Sequence, residues 1–214
     1  MPPSEPSKSA SPRTHLGGSD AGAGAKALIG YTLRQTLVLV GMPGSGKSAI
    51  GRTLAARLGV PMRDSDAEIE ARARRTIAEI FERDGEAFFR DRERLVIASL
   101  LKGPPAILST GGGAWLSEQN RTLISKRAAV LWLRADLELL WNRVKHRDTR
   151  PLLRTADPKA TLTELFEARQ PAYAKAPLAI DVAADWSIEE TCDAVQAALI
   201  AAGVIARTDT AKGV

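Results

Sequence analysis

The chain has 214 residues, 44% of them hydrophobic and 26% charged, which suffices for one α/β domain with a real core. No apolar stretch is long enough to span a bilayer, so a membrane span is excluded, and the single cysteine, Cys192, excludes an internal disulfide and fits a cytoplasmic protein. The net charge of +5 comes from arginines scattered through predicted helices and one loop, not from a basic tail or an aromatic-interleaved patch, so it points to a small anionic ligand and away from nucleic acid.

Residues 1–32 carry Pro2, Pro3, Pro6, early serines and a Gly/Ala run with almost no large apolar side chain, which predicts a disordered N-terminal tail. The Ser and Arg content is shared with transit peptides, but Glu5, Asp20 and the lack of an amphipathic pattern favour a plain tail. A folded domain is predicted over 33–203, with a frayed tail over 204–214. Within it, Thr36–Gly41 reads as a buried parallel strand, and Ile50, Leu54 and Leu58 mark a helix stopped by Gly59. A short strand ends in Asp64-Ser65-Asp66, and helices run on through Leu101 with a break near Gly85. Ala106–Ser109 and Val130–Leu133 are the third and fourth strands; a helix runs on from the fourth to Val144. An Arg-rich loop follows over about 145–159, then a helix marked by Leu162, Leu165, Phe166 and Tyr173. The last strand is Leu178–Val182, and Ser187-Ile-Glu-Glu190 reads as a capping box opening the final helix. Alternation of this kind predicts an α/β fold with a five-stranded parallel sheet flanked by helices on both faces.

Three motifs carry chemistry. Gly41-Met-Pro-Gly-Ser-Gly-Lys47-Ser48 matches the nucleotide phosphate-binding loop without a gap, between a strand and a helix as that loop requires. Its glycines let backbone N–H groups turn inward around phosphates, Lys47 reaches the β- and γ-phosphates, and the Ser48 hydroxyl suits a Mg²⁺ that keeps several waters. Asp64 and Asp66 point to one side of an extended chain, where one carboxylate can assist Mg²⁺ and the other can orient or deprotonate a hydroxyl; either can instead cap the helix that follows. Gly111-Gly112-Gly113 follows a strand directly, as a tight turn or a close backbone approach to a ligand does. Arg169 lies on the buried face of its helix and Arg90 beside Phe88 and Phe89, so each needs an anion, from a ligand or from the protein; for Arg90, Glu93 one turn on is the internal candidate. The loop from Arg143 through Arg150 to Arg154 is either a basic lid over the phosphate site or a solvated surface loop. His15 and His146 show no metal-ligand spacing, and Cys192 falls on an apolar helix face with Ile188, Val195 and Leu199, a core position.

Taken in order, G-x-P-G-S-G-K-S-x-I-G-x-x-L-A (41–55), D-S-D-x-E-I-E (64–70), I-A-E-I-F and G-E-x-x-F-R-x-x-E (77–93), S-T-G-G-G-A (109–114), R-P-L-L (150–153) and A-R-x-P-x-Y (168–173) resemble the shikimate kinase family over about residues 34–200. The resemblance implies a P-loop kinase fold with a lid, and transfer of the ATP γ-phosphoryl group to the 3-hydroxyl of shikimate in aromatic amino-acid biosynthesis. It implies nucleotide binding by Gly44, Ser45, Gly46, Lys47, Ser48, Ala49, Arg143 and Arg150, and metal binding by Ser48 and Asp64. It further implies shikimate binding by Asp66, Arg90, Gly112 and Arg169, and catalysis by Asp66, Lys47 and Arg150. Ala49, where many relatives have Thr, and Arg74-Arg75, where many have a glycine, depart from the pattern. A gluconate kinase would share the phosphate loop but not the glycine triplet and R-P-L-L, and a ligand-sensing regulator would need a DNA-binding module that the polar tail cannot form. No long apolar surface stripe stands out, so a monomer is expected.

Overall fold

The structure, a computed structural model, describes residues 28, 30–145 and 155–208. Strand β1 (Tyr31–Leu33) leads into β2 (Thr36–Val40), whose five residues are all buried. Burial of consecutive residues means that both faces of the strand are covered, which is why the run is continuously apolar instead of alternating. Then follow α1 (Lys47–Leu58), β3 (Met62–Asp64), α2 (Ser65–Ala73), α3 (Ile77–Leu100), β4 (Ile107–Ser109) and a single 3₁₀ turn at Ala114–Leu116. The chain continues through α4 (Glu118–Ser125), β5 (Ala128–Arg134), α5 (Leu137–Val144), α6 (Pro158–Tyr173), β6 (Leu178–Asp181), α7 (Ile188–Ala201) and β7 (Ile205–Arg207).

Five strands form one parallel sheet in the order β3-β4-β2-β5-β6. Its register sets the function: Leu39 pairs with Ser109, Ser109 with Asp64, and Val40 with Trp132. The loop after β2, the turn after β4 and the residues after β3 therefore leave the sheet along one rim, the carboxyl end where ligands of such sheets bind. Helices α1 and α7 pack together, as do α2 with α3 and α5 with α6. No helix among the described residues is long and apolar enough to cross a membrane.

The structure adds elements that composition and periodicity did not show. Strand β1 pairs antiparallel with β7, Tyr31 opposite Arg207 and Leu33 opposite Ile205, so ordered structure reaches past the 33–203 span. Three-residue strands are too short to display alternation. Helix α4, capped by Ser117, was also not predicted. Ile188 departs from its expected core place: Cys192, Val195 and Leu199 are buried, but Ile188 is 51% exposed at the first turn of α7.

The predicted break at Gly85 and the end of α2 at Arg74 have definite backbone causes. Gly85 sits inside α3 at φ 80°, ψ 171°, a region open essentially to glycine alone, and no atom crowds the position. Arg74 ends α2 in the left-handed conformation at φ 50°, ψ 39° and donates its N–H to Glu70. An arginine thus holds a left-handed turn that glycine adopts freely, at a cost of roughly 1–2 kcal/mol.

Candidate active site

A cavity of about 470 Å³ opens on the carboxyl rim, lined by the phosphate loop, Asp64, Asp66, the glycine turn and the start of α7. Gly44, Ser45, Gly46, Lys47, Ser48, Ala49, Asp64, Asp66, Gly112 and Arg143 all line it. Arg90 and Arg169 stand next to it, behind the glycine turn, and Arg150 lies outside the described residues, as does most of the expected lid.

Gly44 shows why the loop is spelled with glycine: its φ is 92°, and a Cβ there would lie 2.8 Å from Val144 Cγ1. The bare backbone packs on α5 and lines the cavity at the start of α1, the positive end of a helix dipole. Lys47 is buried, its Nζ donating to the carbonyls of Gly41 at 2.9 Å and Met42 at 3.0 Å, which holds the ammonium inside the loop. Arg143 Nη1 donates to Gly44 O at 3.4 Å, and burial lowers its pKa.

Asp64 takes both roles open to it. Its Oδ1 accepts from the backbone N–H groups of Asp66 at 2.9 Å and Ala67 at 3.3 Å, capping α2, while the residue lines the cavity. That cap fixes the turn from which Asp66 projects. Asp66 Oδ1 is buried and accepts no hydrogen bond from the described residues. Burial first, and then the charges of Asp64 and Glu93, raise its carboxyl to about 6 against the opposing pull of Lys47. A buried carboxylate oxygen without a donor is costly unless a ligand supplies one.

The glycine triplet gathers the remaining candidates. A Cβ on Gly111 would lie 2.6 Å from Asp66 Oδ1, one on Gly112 3.6 Å from Arg169 Nη1, and one on Gly113 2.8 Å from Arg90 Nη1. Gly111 and Gly113 thus admit Asp66 and Arg90 closer than a Cβ allows, and Gly112 lies in ordinary contact range of Arg169. Arg90 bonds Glu93 at 3.1 Å and Glu86 at 3.1 Å, and the buried Glu93 also accepts from Asn120 at 3.4 Å. No ion pair among the described residues involves Arg169. The two arginines therefore differ: one has carboxylate partners, and the other has none among the described residues.

Sequence reasoning did not reach Arg52, Thr191 or Ile188, which also line the cavity, because only tertiary packing brings them to the rim. Trp186 lines it too and is 37% exposed. Ser48 and Asp64 offer oxygen donors on the same wall, the ligand type that Mg²⁺ takes. Among the described residues no group of three or more His, Cys, Asp or Glu side chains could hold a metal, so an ion here would draw most of its ligands from phosphate and water.

Comparison with known proteins agrees with this geometry. The family model described as "Shikimate kinase" matches residues 43–199. A shikimate kinase of Ruegeria pomeroyi is 62% identical over 167 residues, covering 78% of this chain and 86% of that protein. The solved structure of shikimate kinase from Acinetobacter baumannii in complex with shikimate has a TM-score of 0.74 at 34% identity, over 78% of this chain and 94% of that one. A gluconokinase from Sinorhizobium meliloti, at 17% identity and a TM-score of 0.52 over 80% of this chain and 94% of its own, shares the fold alone. A phosphate loop, a buried carboxylate facing a glycine triplet and relatives that cover most of the chain lead to one assignment: this chain belongs to the shikimate kinase family.

Proposed function

We propose that this chain transfers the γ-phosphoryl group of Mg²⁺-ATP to the 3-hydroxyl of shikimate. The observation that carries the reading is the buried, unpartnered Asp66 Oδ1 set against Gly111 in the cavity that also holds Lys47 and Ser48. In this reading the phosphate loop binds the β- and γ-phosphates through its amides and Lys47, with Arg143 lining the same cavity; Arg150 is assigned to the phosphates from its place in the R-P-L-L motif alone. Asp66 accepts the proton of the attacking hydroxyl as the new O–P bond forms and the bond to the β-phosphate breaks, ADP leaving with the electron pair. Bound between Ser48, Asp64 and the phosphates, Mg²⁺ would neutralise charge on the transferring group. The carboxylate of shikimate meets Arg169, with Arg90 and the Gly112 backbone beside it; a planar guanidinium can take both oxygens at once. The reading extends to the cytoplasm, for which the single, buried Cys192 is the support, and to a monomer, for which the lack of a long apolar stripe in the sequence is the support.

A coupled assay of ADP release separates shikimate from gluconate as acceptor. Turnover with shikimate and little with gluconate is expected, since gluconate lacks the ring that sets the carboxylate and the reacting hydroxyl in fixed relation. Comparable turnover with gluconate would overturn the reading.

A further inference from the structure

Helix α6 carries Arg169, and its last turn is fastened to the glycine triplet at two points. Tyr173, the final residue of α6, is 1% exposed, and its hydroxyl donates to Gly112 O at 2.5 Å. One helical turn earlier on the same face, Arg169 brings its guanidinium to the same glycine, Nη1 lying 3.6 Å from where a Cβ on Gly112 would sit. A phenol has one proton to give, and with that proton on Gly112 its lone pairs face the arginine. Trp115, just past the triplet, donates its indole Nε1–H to Ala172 O at 2.9 Å, a carbonyl in the last helical turn that also accepts from the Lys175 N–H at 3.2 Å. Trp132 stacks on the Tyr173 ring with centroids 6.0 Å apart and planes 24° from parallel, so the ring cannot swing away.

A tyrosine that only filled the core would be served as well by phenylalanine. Here the hydroxyl is buried and joins two groups of the candidate substrate site, one a backbone carbonyl and one a charged side chain. We infer that Tyr173 is the positioning residue for the acceptor's carboxylate: its hydroxyl braces Arg169 against Gly112, so that the guanidinium meets the ligand in one orientation. This rests on the reading that Arg169 receives the shikimate carboxylate. Burial also pushes the phenol up to about 12, so it remains a protonated donor at neutral pH. With Arg90 engaged by Glu86 and Glu93, Arg169 is the cation whose direction is left to be set, and Tyr173 sets it.

The test is steady-state kinetics on Tyr173→Phe, Arg169→Lys and the double variant, with ATP and shikimate varied separately. Tyr173→Phe should raise the shikimate KM about tenfold, leave the ATP KM unchanged and hold kcat within about twofold, because the phosphate loop and Asp66 are untouched. In the double variant the shikimate KM should stay within about twofold of Arg169→Lys alone, since a brace has no effect once its arginine is gone. Trp115→Phe, which releases the other tie and keeps Tyr173, should raise the shikimate KM about threefold and serves if Tyr173→Phe does not fold. An unchanged shikimate KM in Tyr173→Phe beside a raised one in Arg169→Lys overturns the brace and leaves the carboxylate reading standing. Additive effects in the double variant, or parallel loss of ATP affinity, overturn it as well. If Arg169→Lys binds shikimate like the parent, the carboxylate reading falls and the brace with it.

Discussion

On the nucleotide side, β2 is buried along its whole length and β5 along six of its seven residues, in a core that runs from Leu33 to Ile205. On the acceptor side, α2 and α3 close over only Ile69, Ile80, Phe89 and Val96, and Phe81, Phe88 and Leu95 stay more than a third exposed. The phosphate cradle is therefore anchored in the stiffest part of the molecule. Asp66 and Arg90, by contrast, ride on a pair of helices with a small core of their own, a left-handed arginine at one turn and a glycine break at Gly85. Regions with few buried apolar contacts open at lower free energy than the global fold. In the proposed reading the nucleotide sits in a rigid mould, and the acceptor is met partly by α2 and α3, which can adjust.

The widest separation between the two sides should come from Lys47→Ala. It removes the ammonium that meets transferring charge, so turnover should fall about 10³-fold or more with the fold retained. Near-normal turnover in that variant would show that the cradle does not act on phosphate. Next in size is a pair of core truncations. Leu131→Ala in the middle of β5, at 0% exposure, should cost about 3–5 kcal/mol of global stability by denaturant unfolding. Ile80→Ala should cost about 2–3 kcal/mol and show as faster amide exchange confined to α2 and α3, with the shikimate KM raised and the ATP KM unchanged. Exchange that spreads through β2 and β5 in Ile80→Ala would merge the two regions into one cooperative unit.

Asp66 sits where the regions meet, and its titration gives the next effect. Its carboxyl binds a proton near 6 in the fold against 3.8 for the ordinary group, so its favourable contribution is complete below pH 3.8 and is lost as pH rises through 6. Ionised Asp66 thus opposes folding by about 2–3 kcal/mol at neutral pH. Asp66→Asn should raise the melting temperature at about pH 8, do little at about pH 3.5, and slow the chemical step on the order of 10²–10⁴-fold. A melting gain independent of pH would remove the carboxylate from that account. The smallest effect belongs to Arg74→Gly, which should stabilise the acceptor-side helices by about 0.5 kcal/mol, the relief of the left-handed backbone less the added freedom of the unfolded chain.

How much of this was legible beforehand depends on the range of the interaction concerned. The parallel strands, the phosphate loop and the Ser187 capping box, whose side chain bonds Glu190, are local patterns, and the structure keeps them. The buried Arg57, bound to Asp193 at 2.6 Å and also to Glu189, joins α1 to α7 across more than 130 residues, and no spacing signals such a pair. For Arg90 the sequence offered a ligand or Glu93, and the structure shows the Glu93 pairing already made. For Asp66 and the triplet the residues were readable and the contact was not, because strand register, set by three strands at once, decides which glycine meets which side chain.

The β1–β7 ribbon has a practical consequence. Tyr31 and Arg207 lie side by side, so the first and last described strands meet at the amino-terminal edge of the sheet, and Thr36–Val40 separates them from the phosphate loop. At ~3.3 Å per strand residue, that is about 17 Å of buried strand between the joined ends and the nucleotide. A short linker could connect residue 208 to residue 30, and new ends could be opened on an exposed loop elsewhere, without touching the catalytic rim. The ribbon makes this chain a natural scaffold for circular permutation, with its join on the side away from the chemistry.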